Sequence, residues 1–312
     1  MMRSIDKLVV ALIVIAMVLV GVAFAAFSFY DPIQAAFYAN LERVIGVPVE
    51  WQFNFQHPFS EIARSLHRFH NFLLAINIAI CGLVAGLVMV AVWLYRDSRH
   101  PVPARTTHNT PLEVVWTILP VIVLLVIGTW SFSLLRKTDF PPQSDVTLKA
   151  TGNQWYWTFT YPENGGIEFS SNIVPDDKLA PEQRSLRLMA VDQYVVLPVD
   201  SAVRILVTAS DVIHSFGVQS LGIKKDAIPG RINETWTRIE REGTYYGDCY
   251  ELCGRNHAFM PIGIEAVSRQ RFDAWIADAR RRMTQGLPPS VHAPTDVATA
   301  EPQLKQKIGS GP

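Results

Sequence analysis

Residues 244–267 read TYYGDCYELCGRNHAFMPIGIEAV, and the fold turns on whether the middle of this stretch is a helix or a loop between two strands. Cys249, Cys253, His257 and Met260 stand at steps of four, four and three, the period of one helix face. Against a helix, Gly254 interrupts the run and Pro261 ends it, since neither residue sits well in a helix interior. The flanks TYYG and IGIEAV are short and rich in β-branched and aromatic residues, as strands are. The stretch therefore reads as a loop joining two strands.

Four soft ligand types are gathered on that loop. A disulfide between Cys249 and Cys253 is permitted in an exported domain, but it would close a very small ring and leave His257 and Met260 without a role. A metal site uses all four. Thiolate and thioether sulfurs suit copper, zinc or iron–sulfur centres, and imidazole suits copper or zinc. A structural zinc site takes two Cys and two His, and His214, in SDVIHSF after VRILVTAS, is the candidate second imidazole. Met260 favours copper, because a weak axial methionine marks cupredoxin-type sites. Two thiolates and two imidazoles could bridge and cap a pair of copper ions; zinc stays open as the alternative.

Working outward, residues 146–267 break into short segments separated by Gly, Pro, Asp and Asn: VTLKA, QWYWTFTY, LRLMAV, YVVLPV, VRILVTA, ETWTRI and IGIEAV. Val203, Ile205 and Val207 alternate with Arg204, Leu206 and Thr208, the pattern of a half-buried strand. Many short strands at this spacing predict a β-sandwich or Greek-key barrel. RQRFDAWIADARRRM then reads as one amphipathic helix, and the Pro-, Ala- and Thr-rich tail as disordered.

The chain has 312 residues, 49% of them hydrophobic, zero formal net charge and three cysteines. Zero net charge gives no whole-chain field for nucleic acid, and three cysteines exclude a disulfide framework. The apolar residues cluster early. Charge-free runs at 8–30, 71–95 and 114–135 each reach the about 20 residues that cross a bilayer. The first follows Arg3 and Lys7 and contains Ala23, Phe24 and Ala25, so it is either a cleavable signal peptide or a retained anchor. Arg96, Arg99 and Arg105 place the loop between the other two runs in the cytoplasm, and everything after about Thr138 outside; Arg136 and Lys137 count modestly against this. The expected division is 1–30 signal peptide or anchor, 31–70 exported segment, 71–138 transmembrane hairpin, 139–268 β domain, 269–285 helix and 286–312 tail.

Five motifs carry a resemblance that covers about residues 67–267: PVPARTTHNTPLEVVWTILP, GNQWYWTFTY, LRLMAVDQYVVLPV, TASDVIHSF running to SLGIKKDAIPGRIN, and YYGDCYELCGRNHAFMPI. With these the chain resembles subunit II of haem-copper cytochrome c oxidase. The resemblance implies a transmembrane helical hairpin plus an all-β cupredoxin-like Greek-key barrel that holds a binuclear CuA centre. It implies that Cys249 and Cys253 bridge two copper ions and that His214 and His257 cap one each. Met260 and the backbone carbonyl of Glu251 are then weak ligands, and the Glu251 carboxylate points to a magnesium ion shared with subunit I. Hard carboxylate for magnesium and soft sulfur for copper agrees with ligand preference.

The same resemblance implies electron transfer from cytochrome c, through Trp155, to haem in subunit I, with subunit III a further partner and the bilayer of a bacterial plasma membrane as the support. The β domain would face the periplasm. Glu163, Asp192 and Asp211 match acidic family positions and, together with Asp248 of this chain, are the expected docking acids for a lysine-rich cytochrome c, which would raise the association rate in a salt-dependent way. In the family glutamine usually stands at the position of Asp248. Glu113, at the mouth of a membrane helix, reads from its position as a cap-region acid favoured by the helix dipole; the resemblance makes it the mouth of a proton path. Other readings of the whole chain are a copper-free quinol oxidase subunit, a free-standing copper carrier or assembly protein, and a zinc-stabilised binding module.

Overall fold

Among the described residues, two long helices precede the strands: α1 (Glu61–Leu94) and α2 (Thr110–Asp139). The computed structural model describes residues 46–47, 54–99, 101–102, 105 and 107–295, so the signal-or-anchor segment 1–30 and the tail beyond 295 lie outside the described residues. With 34 and 30 residues, both helices exceed the about 20 needed to span a bilayer. Leu124, Leu125, Val126 and Phe132 of α2 are exposed, which suits a helix solvated by lipid rather than by water. Phe69 and Phe72 of α1 approach Trp130 of α2 at ring-centroid distances of 5.7 and 4.9 Å.

Helix α1 begins at Glu61 rather than at residue 71, so the exported segment gives its last ten residues to the helix. The polar residues Arg64, His67, Arg68 and His70 interrupt the apolar run, but this turn is amphipathic and packs on protein. The Ser60 hydroxyl accepts a hydrogen bond from Ala63 N at 3.0 Å and donates to Leu221 O at 2.8 Å, a side-chain cap. Ile62 and Ala63 are buried. Gly222, at φ +69°, lets this backbone approach: a Cβ there would stand 2.7 Å from Ala63 N.

The chain divides into two compact units, residues 67–134 belonging to the first and residues 135–295, together with the described residues up to 66, to the second. Among the described residues the second holds ten strands. One sheet has the order β3 (Ile167–Ser171), β2 (Tyr156–Tyr161), β1 (Val146–Asn153), β5 (Val203–Ala209), β8 (Asn233–Thr237). The other has the order β4 (Val195–Pro198), β10 (Ile262–Val267), β9 (Gly243–Cys249), β6 (His214–Val218), β7 (Ile223–Ala227). β1 runs parallel to β5 and β10 parallel to β4; the remaining pairs are antiparallel. The chain repeatedly changes sheet between successive strands, the habit of a Greek-key sandwich.

Val203, Ile205 and Val207 are fully buried while their alternating neighbours are half-exposed, as the period-two pattern requires. Trp157, Phe159, Phe216 and Tyr245 fill the space between the sheets. Helix α3 (Arg269–Thr284), capped by Ser268, adds Phe272 and Trp275 to the same core. Trp275→Ala empties a site with zero exposure and is expected to cost about 3–5 kcal/mol, measurable as a lower denaturation midpoint of the purified chain.

Two expectations are corrected. LRLMAV is not a strand: Leu188 lies at φ +68°, Ala190 N bonds Leu186 O at 2.9 Å, and only Val191 makes an isolated bridge, to Ile173. The turn at residues 186–190 takes local hydrogen bonds, and only its end pairs elsewhere, Ala190 O accepting from Val174 N at 2.9 Å. The tail assigned to 286–312 is packed as far as residue 294. Trp275 Nε1 donates to Ser290 O at 2.9 Å, Ala293 N donates to Glu265 at 3.1 Å, and Ala293 is buried. Polar composition misled because these few residues are held by backbone bonds to buried groups, not by apolar bulk.

Candidate metal centre

At one end of the sandwich, β9 finishes at Cys249, β6 starts at His214, β1 finishes beside Gly152 and β10 starts after Met260. The stretch between β9 and β10 is a loop. Gly254 takes φ +123°, a conformation that side chains other than glycine rarely adopt, and His257–Phe259 forms a single 3-10 turn. The helical spacing is accidental: Cys249 is fixed by strand pairing with Phe216, and the rest by the loop.

His214, Cys249 and Cys253 bring their ligand atoms within 4.8 Å of one another. The two sulfurs are 3.9 Å apart, far beyond the about 2.05 Å of a disulfide. Cys249 Sγ lies 3.9 Å from His214 Nδ1 and 3.3 Å from the Glu251 carbonyl. Cys253 Sγ lies 3.6 Å from His257 Nδ1 and 3.5 Å from Met260 Sδ. His214, Cys249, Cys253 and Met260 are buried, His257 is half-buried, and the Glu251 side chain is exposed. Two thiols, two imidazole nitrogens, a thioether and a carbonyl thus converge in a largely buried cluster. That donor set fits soft or borderline metal ions, and the buried thioether beside Cys253 fits copper better than zinc.

Burial disfavours both thiolates, yet the two sulfurs differ. For Cys249 the hydrogen bonds from His214 and from backbone outweigh burial and bring its pKa down to about 7. For Cys253 burial and the neighbouring Cys249 charge act together and push it up to about 12. His214 is held above its ordinary value, because contacts with Cys249 and Asp211 overcome burial.

A surrounding set of polar contacts holds the ligands. Gln154 Nε2 and Trp155 Nε1 both donate to Cys253 O, at 2.9 and 3.3 Å, and Trp157 Nε1 donates to Met260 O at 3.1 Å. Trp155 is half-buried against the loop. Gly152 leaves room for the His214 side chain, whose Cδ2, Cγ and Cβ would lie 2.8–3.0 Å from any Cβ placed there. Gln154 and Gly152 escaped sequence reasoning; the only signal was their closeness to Trp155 in GNQWYW.

The acids are scattered. Asp211 lies at the site, its carboxylate 2.9 Å from His214 Nε2. Burial works against its ionisation, but bonds from His214, Val212 and Gln154 hold its carboxyl below the ordinary value. Asp248 is exposed beside Cys249. Asp192 accepts from Asn172 N and Nδ2 at 2.7 and 3.1 Å. Glu163 accepts from Thr147 at 2.8 Å, five strand positions from Gly152, or about 17 Å along β1. Glu113, in the other unit, accepts from Asn109 N at 2.9 Å while Asn109 Oδ1 accepts from Leu112 N at 3.3 Å, a reciprocal cap of α2.

Two family models match the chain: "Cytochrome C oxidase subunit II, periplasmic domain" over residues 146–267 and "Cytochrome C oxidase subunit II, transmembrane domain" over residues 48–134. The probable cytochrome c oxidase subunit 2 of Rickettsia felis is 48% identical over 246 residues, 79% of this chain and 78% of its own length. Cytochrome c oxidase subunit 2 of Cereibacter sphaeroides is 39% identical over 278 residues, 84% of this chain and 91% of its own. The solved periplasmic domain of subunit II of cytochrome oxidase (CoxB) of Bradyrhizobium japonicum is 46% identical, covers 46% of this chain and 98% of that one, and superposes with a TM-score of 0.42. The matches span both the helical pair and the sandwich, and the ligand cluster falls inside the periplasmic-domain match. With its two membrane-anchoring helices, its cupredoxin-like β domain and its copper-type site, the chain belongs to the cytochrome c oxidase subunit II family.

Proposed function

We propose that the chain is the electron-accepting subunit of a bacterial cytochrome c oxidase, taking electrons from cytochrome c and passing them to haem in subunit I, where oxygen is reduced to water with proton transport. The observation that carries this reading is the paired geometry. Two sulfurs face each other at 3.9 Å, and each has an imidazole nitrogen of its own within 3.9 Å. Such a pair suits two copper ions rather than one. Cys249 and Cys253 would bridge them, His214 and His257 would cap them, and Met260 and the Glu251 carbonyl would be the weak ligands. When bound, the copper pair supplies a one-electron acceptor whose charge is spread over two metals and two sulfurs.

The residues around it exclude water, hold the ligands still and offer a contact to a donor. Trp155 bridges the half-exposed surface and the backbone of a ligand, which supports its role as the point of electron uptake. The exposed Glu251 carboxylate beside an inward carbonyl supports a magnesium ion shared with subunit I. Glu113 is assigned the mouth of a proton path, its cap geometry notwithstanding, because an ionisable residue at a membrane helix is a functional candidate. Asp192 and Asp248 are the exposed docking acids nearer the loop, and Glu163 a more distant one. The β domain faces the periplasm from the plasma membrane, and subunit III is a further neighbour.

Metal analysis with optical and electron-spin spectra of the purified oxidase tests the reading. Two coppers in this chain sharing one unpaired electron are expected. One colourless zinc would overturn it in favour of a zinc-stabilised module.

A further inference from the structure

Arg136 and Lys137 stand on the side of the membrane where few cations are expected, and the metal centre makes no use of them. Their surroundings lie within the second unit. There the chain from Trp236 to Glu240 crosses the ends of both long helices. Trp236 Nε1 donates to Lys137 O at 2.8 Å, in the last turn of α2. Ile239 bridges Ser60, Glu240 N donates to Phe59 O at 3.1 Å, and the Glu240 carboxylate accepts from both terminal nitrogens of Arg64, in the first turn of α1. Thr237 and Ile239 are fully buried, so the period of two along extended backbone puts Trp236, Arg238 and Glu240 together on the other face. Arg238 therefore lies between the end of α2 and the start of α1.

Four cations, Arg64, Arg136, Lys137 and Arg238, gather here against the acids Glu61 and Glu240. Lys137 donates to Glu61, and to Ser65 Oγ at 3.3 Å; Arg64 is held by Glu240. The charge of Arg238 acts on Glu61, but that carboxylate is already bonded to Lys137. Asp139, the next acid along the chain, is taken by Lys225 at 3.0 Å. Among the described residues Arg136 and Arg238 have no ion-pair partner, and both are exposed.

Position decides what the surplus charge meets. Arg136 directly follows the apolar run 114–135, which places it at the boundary of lipid and water. Leu135 and Phe140 on either side of it are exposed. A ligand at this boundary touches apolar side chains and a cation at once, which suits a phospholipid better than a free anion. Guanidinium groups bind phosphate oxygens through paired hydrogen bonds, and a local excess of positive charge favours a headgroup with net negative charge.

We infer that Arg136 and Arg238 form a seat for the phosphate of an anionic phospholipid in the outer leaflet, at the junction of the two helix ends with the β domain. The bound lipid neutralises the two arginines and ties the 236–240 segment to the membrane surface. This seat is independent of the copper reading.

The test uses the assembled oxidase in phosphatidylcholine-containing detergent, titrated with phosphatidylglycerol, with bound lipid counted by native mass spectrometry. The double variant Arg136→Gln/Arg238→Gln should retain one phosphatidylglycerol fewer than the parent, affinity at that site falling about fivefold for each arginine and about thirtyfold for both. Phosphatidylcholine retention and the optical spectrum should match the parent, and excess inorganic phosphate should not displace the lipid. Arg238→Lys keeps the charge without the paired bonds; it should fall between parent and double variant, and it serves alone if the latter fails to assemble. In the parent itself, amides of residues 135–140 and 236–240 should exchange hydrogen more slowly with phosphatidylglycerol than with phosphatidylcholine alone. Equal phosphatidylglycerol retention in parent and variants, equal loss of both lipids, displacement by inorganic phosphate, or exchange indifferent to the lipid would each overturn the inference.

Discussion

Cys253→Ser is expected to abolish the two-copper signature and electron uptake with it. The Cys253 sulfur is the hub of the cluster, 3.9 Å from Cys249 Sγ, 3.6 Å from His257 Nδ1 and 3.5 Å from Met260 Sδ. A serine hydroxyl is nearly isosteric, so β9, β10 and the loop backbone should keep their places. It is also a hard ligand that stays protonated, while soft thiolate is what holds copper. The loss should exceed the about hundredfold upper range for removing an outer partner. Copper content per chain, spectrum and the rate of reduction by cytochrome c are the measurements. Full copper content with an unchanged spectrum in Cys253→Ser would show that the two sulfurs are not joint ligands.

Trp155→Phe should separate electron uptake from metal binding. The substitution removes the indole donor to Cys253 O at 3.3 Å, but Gln154 Nε2 still donates to the same oxygen at 2.9 Å. Losing one such bond costs about 0.5–1.5 kcal/mol of stability, too little to release buried ligands, so copper content and spectrum should persist. Reduction by cytochrome c should slow by at least about tenfold, equivalent to about 1.4 kcal/mol in the barrier. Stopped-flow reduction compared with copper analysis on one preparation decides between outcomes. An unchanged rate would make Trp155 a packing residue, and copper loss would make it a structural support of the loop.

Much of the β domain was legible because its strands obey period two: VRILVTA and IGIEAV are strands β5 and β10 and bury alternate or continuous apolar faces. β6 and β7 were not legible. HSFGV and IKKDA mix His, Ser, Gly and Lys, and their pairing is imposed by neighbours in the sheet, since strand preference is mostly a matter of packing context. LRLMAV failed in the opposite sense, apolar enough for a strand yet coiled by a left-handed residue. The start of α1 was misplaced because charge was taken as the end of a membrane span, whereas Arg64 pairs with Glu240 on the β unit.

The sequence by itself determined the chemistry of the cluster: two cysteines, a histidine and a methionine within twelve residues, broken by Gly254 and closed by Pro261, specify a ligand loop between strands. It also gave the apolar runs at 71–95 and 114–135 that form most of the two lipid-length helices α1 and α2. The tertiary structure alone decided which neighbours act on the ligands. Asp211 stands only three residues before His214, but the backbone turns between them so that the acid meets Nε2, while Gln154, 99 residues from Cys253 along the chain, holds its carbonyl. Residue identities set what a site can bind; where each hydrogen-bond donor points depends on strand register and loop dihedrals, which no local spacing encodes.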